Sequence, residues 1–230
     1  PLHLWIGELV TGLVGDNVTA GVAAYKVLSL LGFITIAWSI PRIASKLGAD
    51  PAVALWLGVA NPVIILHLIG GMHNEAVMVG LVSVGLLWCL RSHWCTPGIA
   101  LIALAVSLKA TAAVALPFVV WLMVQRRSTT TLGAAGMLVA GGAWAVAVNA
   151  AVIQLVTWAS GTTWGWLEEI TGNSKVITPL AGPTLAAELI TPVLQLFDDT
   201  FRYNTALTWT RTIFSALMLV GLAVVWWIFR

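Results

Sequence analysis

Long apolar runs, separated by short polar or glycine- and proline-bearing stretches, make up most of the chain. A helix needs ~20 apolar residues to cross the hydrocarbon core of a bilayer. Runs of that kind cover 21–41, 51–70, 74–90, 98–124, 132–158 and 207–229. The 98–124 run carries Lys109 near its middle. It reads either as one long tilted helix or as two half-length helices meeting at that lysine. Segment 1–20 is too polar to span. Its Leu2, Leu4, Trp5, Leu9 and Leu13 suit a helix lying along the outer interface. The 159–206 stretch is a long loop with Trp158, Trp164 and Trp166 at its start, and Gly182, Pro183 and Pro192 break up a short helical stretch at about 184–197. Loops of that size commonly bind or cover a ligand. The pattern predicts an all-α, polytopic transmembrane helical bundle with 1–230 as a single transmembrane domain.

Basic residues orient it, because short cytoplasmic loops are enriched in Lys and Arg. Arg42 and Lys46 fall in the 42–50 connection, Arg91 in 91–97, Arg126 and Arg127 in 125–131, and Arg230 follows the last run. A re-entrant hairpin over 98–124 puts all of these on the inner side. A single crossing would move Arg126, Arg127 and Arg230 outside, so the hairpin is the expected form. The outside then holds 1–20, the Gly70–Gly71 turn with His73, the tip at Lys109, and the 159–206 loop. The carboxylates Glu8, Asp16, Glu75, Glu168, Glu169, Glu188, Asp198 and Asp199 fall on that side, and Asp50 falls inside.

Composition changes the picture in one respect. Of 230 residues, 60% are hydrophobic and 9% charged, with a mean hydropathy of +0.96. A soluble domain carries about 25% charged residues, so lipid is the solvent here. A net charge of +2, with no basic run, gives no reason to expect nucleic acid. Cys89 and Cys95 flank an inner loop and read as ordinary thiols rather than a disulfide framework. The chain starts at Pro1 with no leader pattern and stops directly after an apolar run. A fragment of a longer protein is therefore expected.

A charged side chain in mid-membrane costs roughly 2.5–3.5 kcal/mol on insertion scales. Lys26, Glu75, Lys109 and Arg211 fall within the predicted spans, and with the hairpin all four are expected at one depth, the outer headgroup level. Three cations and a carboxylate there suit a lipid phosphate and the polar group attached to it. Snorkelling to the interface accounts equally well for Lys26 and Arg211. Lys109 lies in the middle of an apolar run, where a binding role fits better. In Gly70-Gly71-Met72-His73-Asn74-Glu75, Asn74 suits a helix cap and Glu75 a positive helix N-terminus. His73, Asn74 and Glu75 together also suit sugar hydroxyls, and both readings stand. His67 reads as a packed core residue. The four histidines are scattered without metal-ligand spacing, Asp198-Asp199 suits a turn cap, and Asn17-Val18-Thr19 is a sequon pattern that also arises by chance. No Walker loop, dinucleotide fingerprint or nucleophile elbow is present.

Pro1-Leu2-His3-Leu4-Trp5, Gly15-Asp16-Asn17-Val18, Ala37-Trp38-Ser39-Ile40-Pro41-Arg42, Asn61-Pro62 and above all His67 to Glu75 (HLIGGMHNE) form a recognisable set. The chain resembles the actinobacterial polyprenyl-phosphate-mannose-dependent α-1,6-mannosyltransferases, which build the mannan of lipomannan and lipoarabinomannan. Ser107-Leu108-Lys109-Ala110-Thr111 with Leu116-Pro117 resembles a segment of several GT-C type membrane glycosyltransferases. The resemblance implies a GT-C-like bundle in the plasma membrane with its site facing the extracytoplasmic side. It implies a polyprenyl-phosphate-mannose donor, a lipoglycan acceptor, and no further cofactor or metal. The catalytic carboxylate it implies belongs to a loop preceding Pro1, with Asp16 as a fallback. On this reading Lys109, Arg211 and Lys26 bind the donor phosphate, while His73, Asn74 and Glu75 bind sugar. A polyprenyl-linked glycan transporter or flippase, or a non-catalytic subunit of an envelope complex, are the alternatives.

Overall fold

The computed structural model describes residues 1–71, 74–91, 95–165 and 179–229; His73, Glu168 and Glu169 lie outside that set. The chain folds as two compact units, Pro1–Trp164 and Gly165–Arg230. The described residues contain helices and no strand. Among the described residues three helices are long and apolar enough to cross a membrane, or four if one bent pair counts as a span.

In the first unit, helix α1 (Leu2–Val14) ends at Gly15, whose φ of 58° is a left-handed turn that glycine adopts without cost. Asn17 then caps α2 (Val18–Lys46) by accepting a hydrogen bond from the Ala20 N–H at 3.0 Å. The sequon asparagine is thus a helix cap. The run predicted to stop at Pro41 continues to Lys46. Proline removes one ladder bond, which a packed membrane helix tolerates. Arg42 donates to the Trp38 carbonyl and lies over its ring at 4.4 Å.

The predicted 51–70 run is two pieces bent by 53°. α3 (Pro51–Gly58) and α4 (Pro62–Ile65) each begin with proline after a capping side chain, Asp50 and Asn61 respectively. α4 continues as a π-helical turn over Leu66–Gly70, a geometry frequent at functional sites.

Helix α5 (Glu75–Arg91) organises this unit. It packs on α2 where both backbones touch: a Cβ on Gly32 would lie 2.5 Å from the Ala76 carbonyl carbon, and one on Gly80 would lie 3.1 Å from the Gly32 oxygen. The two helices run parallel, so Lys46, fourteen residues after Gly32, ends level with Leu90, fourteen after Ala76. Helix α6 (Thr96–Leu108) runs antiparallel to α5, with Gly85 against Gly98 and Cys89 against Cys95.

Chain direction then reverses. Lys109 is extended (φ −152°, ψ 124°), a 3-10 turn spans Ala110–Ala115, and α7 (Leu116–Arg127) returns alongside. Arg126 donates to the carbonyls of Cys89 and Leu90, the latter at 3.0 Å. Both ends of the 96–127 segment therefore lie at one level, with Lys46 and Arg91. Cys89, Cys95, Ile99, Ile102, Val119, Val120, Met123 and Ala145 bury one another there, the last on α8 (Thr131–Ala159). At ~1.5 Å per residue α6 and α7 are about 20 and 18 Å long.

In the second unit, α9 (Gly182–Gln195) forms where the sequence suggests a broken stretch, continuous through Pro192. It packs on α10 (Tyr203–Phe229) through Ala187, Ala206 and Leu207. A Cβ on Gly182, at the start of α9, would meet the Phe214 ring at 2.6 Å, so the ring would have to move. Asp198 accepts from the Thr200 N–H at 2.9 Å and its hydroxyl at 2.6 Å, the turn-capping role read from the sequence.

Candidate functional site

The antiparallel register of α5 and α6, fixed by glycine contacts, brings the first residue of α5 to the last turn of α6. Lys109 and Glu75 form an ion pair there, with side chains 47% and 27% exposed. Each is well placed by its own backbone. Glu75 stands at a helix N-terminus, where the dipole favours an anion, and Lys109 at a helix C-terminus, where it favours a cation. Thr111, in the turn after Lys109, donates to the Met78 sulfur at 3.5 Å and ties the turn to α5.

Asn74, next to Glu75, donates its amide to Nδ1 of His3 at 2.9 Å. That bond anchors the start of α1, which pairs with the first half of α2. Between the two helices is a cavity of about 650 Å³. His3, Thr11, Asp16, Asn17, Tyr25 and Asn74 supply its polar groups, Gly71 part of its backbone, and Val10, Val14, Val18 and Val22 its apolar wall. The cavity falls in the size range of small-molecule sites, and its mix of apolar wall and convergent polar groups is the usual one.

Of the residues read from the sequence, the structure joins Lys109, Glu75 and Asn74, and it places Asp16 on the adjoining cavity. Lys26 is exposed on α2, six residues before Gly32. That is about 9 Å farther from the Lys46 end than the Gly32–Ala76 contact. The common depth expected for Lys26 and Glu75 is therefore not found, because the contact at Gly32 offsets α5 along α2. Arg211 stands on α10 in the second unit. Tyr25 and Thr11 were missed. Both sit among valines in amphipathic helices, and only the pairing of α1 with α2 shows that they face a cavity.

The segments carrying the family resemblance, His3, Gly15 to Val18, and Gly71 with Asn74, converge on this one cavity. Residues 1–125 match the family model described as alpha-(1->6)-mannopyranosyltransferase, N-terminal domain. The chain is 55% identical to alpha-(1->6)-mannopyranosyltransferase A of Corynebacterium glutamicum, over 100% of this chain and 49% of the relative. It is 36% identical to the Mycobacterium tuberculosis protein of the same name, over 100% of this chain and 44% of the relative. A probable alpha-(1->6)-mannopyranosyltransferase of Mycolicibacterium smegmatis is 31% identical over 81% of the chain. No solved structure matches. The chain spans about half the length of the curated relatives it matches. It belongs to the alpha-(1->6)-mannopyranosyltransferase family.

Proposed function

We propose that this chain forms the donor-phosphate region of a multi-pass plasma-membrane mannosyltransferase that extends an α-1,6-mannan lipoglycan on the extracytoplasmic face. The observation that carries the proposal is Lys109, at the turn between two short apolar helices that start and end at one level. At about 20 and 18 Å, neither helix reaches across a ~30 Å hydrocarbon core. Those lengths support a re-entrant pair, and on this reading its arginine end is inside and Lys109 is toward the outside. On this reading α5, at about 26 Å, puts Lys109 just within the far boundary of the core.

The reaction is displacement at mannose C1. The bond from C1 to the phosphate oxygen of polyprenyl-phosphate-mannose breaks as an acceptor hydroxyl oxygen bonds to C1. The electron pair leaves on the phosphate, and the hydroxyl proton passes to a carboxylate. Lys109 sits where the leaving phosphate gathers charge and stabilises it electrostatically. Asn74 and Glu75, with His73, hold sugar hydroxyls, and the cavity beside them takes acceptor sugars. The proton acceptor is a carboxylate preceding Pro1, with Asp16, already on the cavity, as the fallback within this chain.

The test is transfer of radiolabelled mannose from the lipid donor in membranes holding the full-length protein. Lys109→Ala is expected to abolish transfer while the protein stays folded and inserted. Near-normal transfer by that variant would remove the phosphate role. Lipid-linked sugar crossing the membrane without elongation would mark a transporter, and neither activity would mark a non-catalytic subunit.

A further inference from the structure

We infer that Glu75 is the resting counter-ion of Lys109 and exchanges with the lipid phosphate, so that it limits how tightly the spent lipid phosphate is held. This rests on the phosphate role proposed for Lys109. A lone ammonium just inside a hydrocarbon boundary is costly, and Glu75 supplies the anion beside Lys109. A phosphate bound at Lys109 has to take that place.

The two ends of the pair differ in what they lose when it opens. Glu75 is the first residue of α5, beside backbone N–H groups that the helix itself leaves unbonded. Its carboxylate can withdraw onto them with little loss. Lys109 faces the carbonyl end of α6 and gains a new anion. The exchange replaces one compensated arrangement with another and leaves no buried orphan.

The exchange has a direction. A sugar phosphodiester carries one negative charge, whereas a phosphate monoester carries about −1.5 to −2 at neutral pH, its second pKa being about 6. A carboxylate held near that phosphate repels the monoester more than the diester. Glu75 therefore weakens the product, polyprenyl phosphate, more than the donor, and returns to Lys109 when the product leaves. The two residues are 34 apart in sequence, and the register of α5 on α6 brings them together.

The experiment is titration of the full-length protein in detergent with two probes, a short polyprenyl phosphate and the matching polyprenyl methyl phosphate. The variants are Glu75→Gln, Glu75→Asp and Lys109→Met. Glu75→Gln is expected to tighten the monoester about ten-fold and the diester about three-fold, from the difference of roughly one charge. Glu75→Asp, which keeps the charge on a shorter stem, is expected to fall between wild type and Gln and keeps the test open if Gln does not fold. Lys109→Met is expected to lose both probes. Equal affinities for wild type and Glu75→Gln, with loss in Lys109→Met, would overturn the exchange while leaving the phosphate site intact. Unchanged binding in Lys109→Met would overturn the phosphate site and the exchange with it.

Discussion

The contact between α2 and α5 holds the first turn of α5, which carries Glu75, and a single methyl group tests it. Replacing Gly32 by alanine puts a Cβ 2.5 Å from the Ala76 carbonyl carbon, 2.6 Å from its oxygen and 2.7 Å from the Val77 nitrogen. All three are backbone atoms, so no side-chain rotation can relieve them. Ordinary contact begins at 3.4 Å, so the backbones must part by about 0.9 Å. The methyl group meets the α5 residue directly after Glu75. Overpacking of this kind costs about 1–3 kcal/mol. A shift near 1 Å at a positioned group can lower a rate by about 100-fold. Gly142 is the control. It is helical with nothing within 4 Å of a Cβ, and Gly→Ala there is expected to be neutral or to stabilise by up to about 1 kcal/mol through helix propensity. Both variants go into the full-length protein, with unfolding midpoint in detergent and mannosyl transfer in membranes as readouts. Wild-type transfer and midpoint for Gly32→Ala would refute the claim that this contact positions Glu75.

Arg126→Met uncovers the carbonyls of Cys89 and Leu90 and is expected to cost about 1–3 kcal/mol, read as a lower unfolding midpoint. His3→Ala and Asn74→Ala each break the bond holding α1 to the start of α5; a double-mutant cycle is expected to give a coupling of about 0.5–1.5 kcal/mol. The Thr200 hydroxyl and then its N–H hold the Asp198 carboxyl below its ordinary range. Because the folded value is depressed, the turn's stability is present above the ordinary carboxylate pKa and is lost as pH falls through the lowered one. Thr200→Val is expected to move Asp198 back up, as followed by NMR titration of the carboxyl.

Much of this was legible in the chain because membrane helices obey few rules. Asp50-Pro51 and Asn61-Pro62 combine a capping side chain with proline at the first helical position, and both start helices. A lysine inside an apolar run marks a break, and the break is at Lys109. Pro41 misled, since proline ends helices in water more reliably than in a packed bundle, and α2 runs on to Lys46. Pro192 did the same in α9. The Lys109–Glu75 pair was half visible: depth could be counted from the span ends, but the register of α5 on α6 is set by Gly85 and Gly98, whose role appears only when the backbones meet. The offset that moves Lys26 outward has the same origin at Gly32. The cavity was least legible, because it exists only once α1 folds back on α2.

The central claim is that the 96–127 pair enters and leaves a membrane on one side with Lys109 toward the other. Single cysteines at Ala49, Thr129 and Ala110, all exposed positions, placed in the full-length protein with its native cysteines replaced by serine, report this through a membrane-impermeant maleimide on intact cells and on opened membranes. Ala110→Cys is expected to label on intact cells, and Ala49→Cys and Thr129→Cys only after opening. Labelling of Thr129→Cys from outside while Ala49→Cys stays protected would mean that the segment crosses completely and that no phosphate site exists at Lys109.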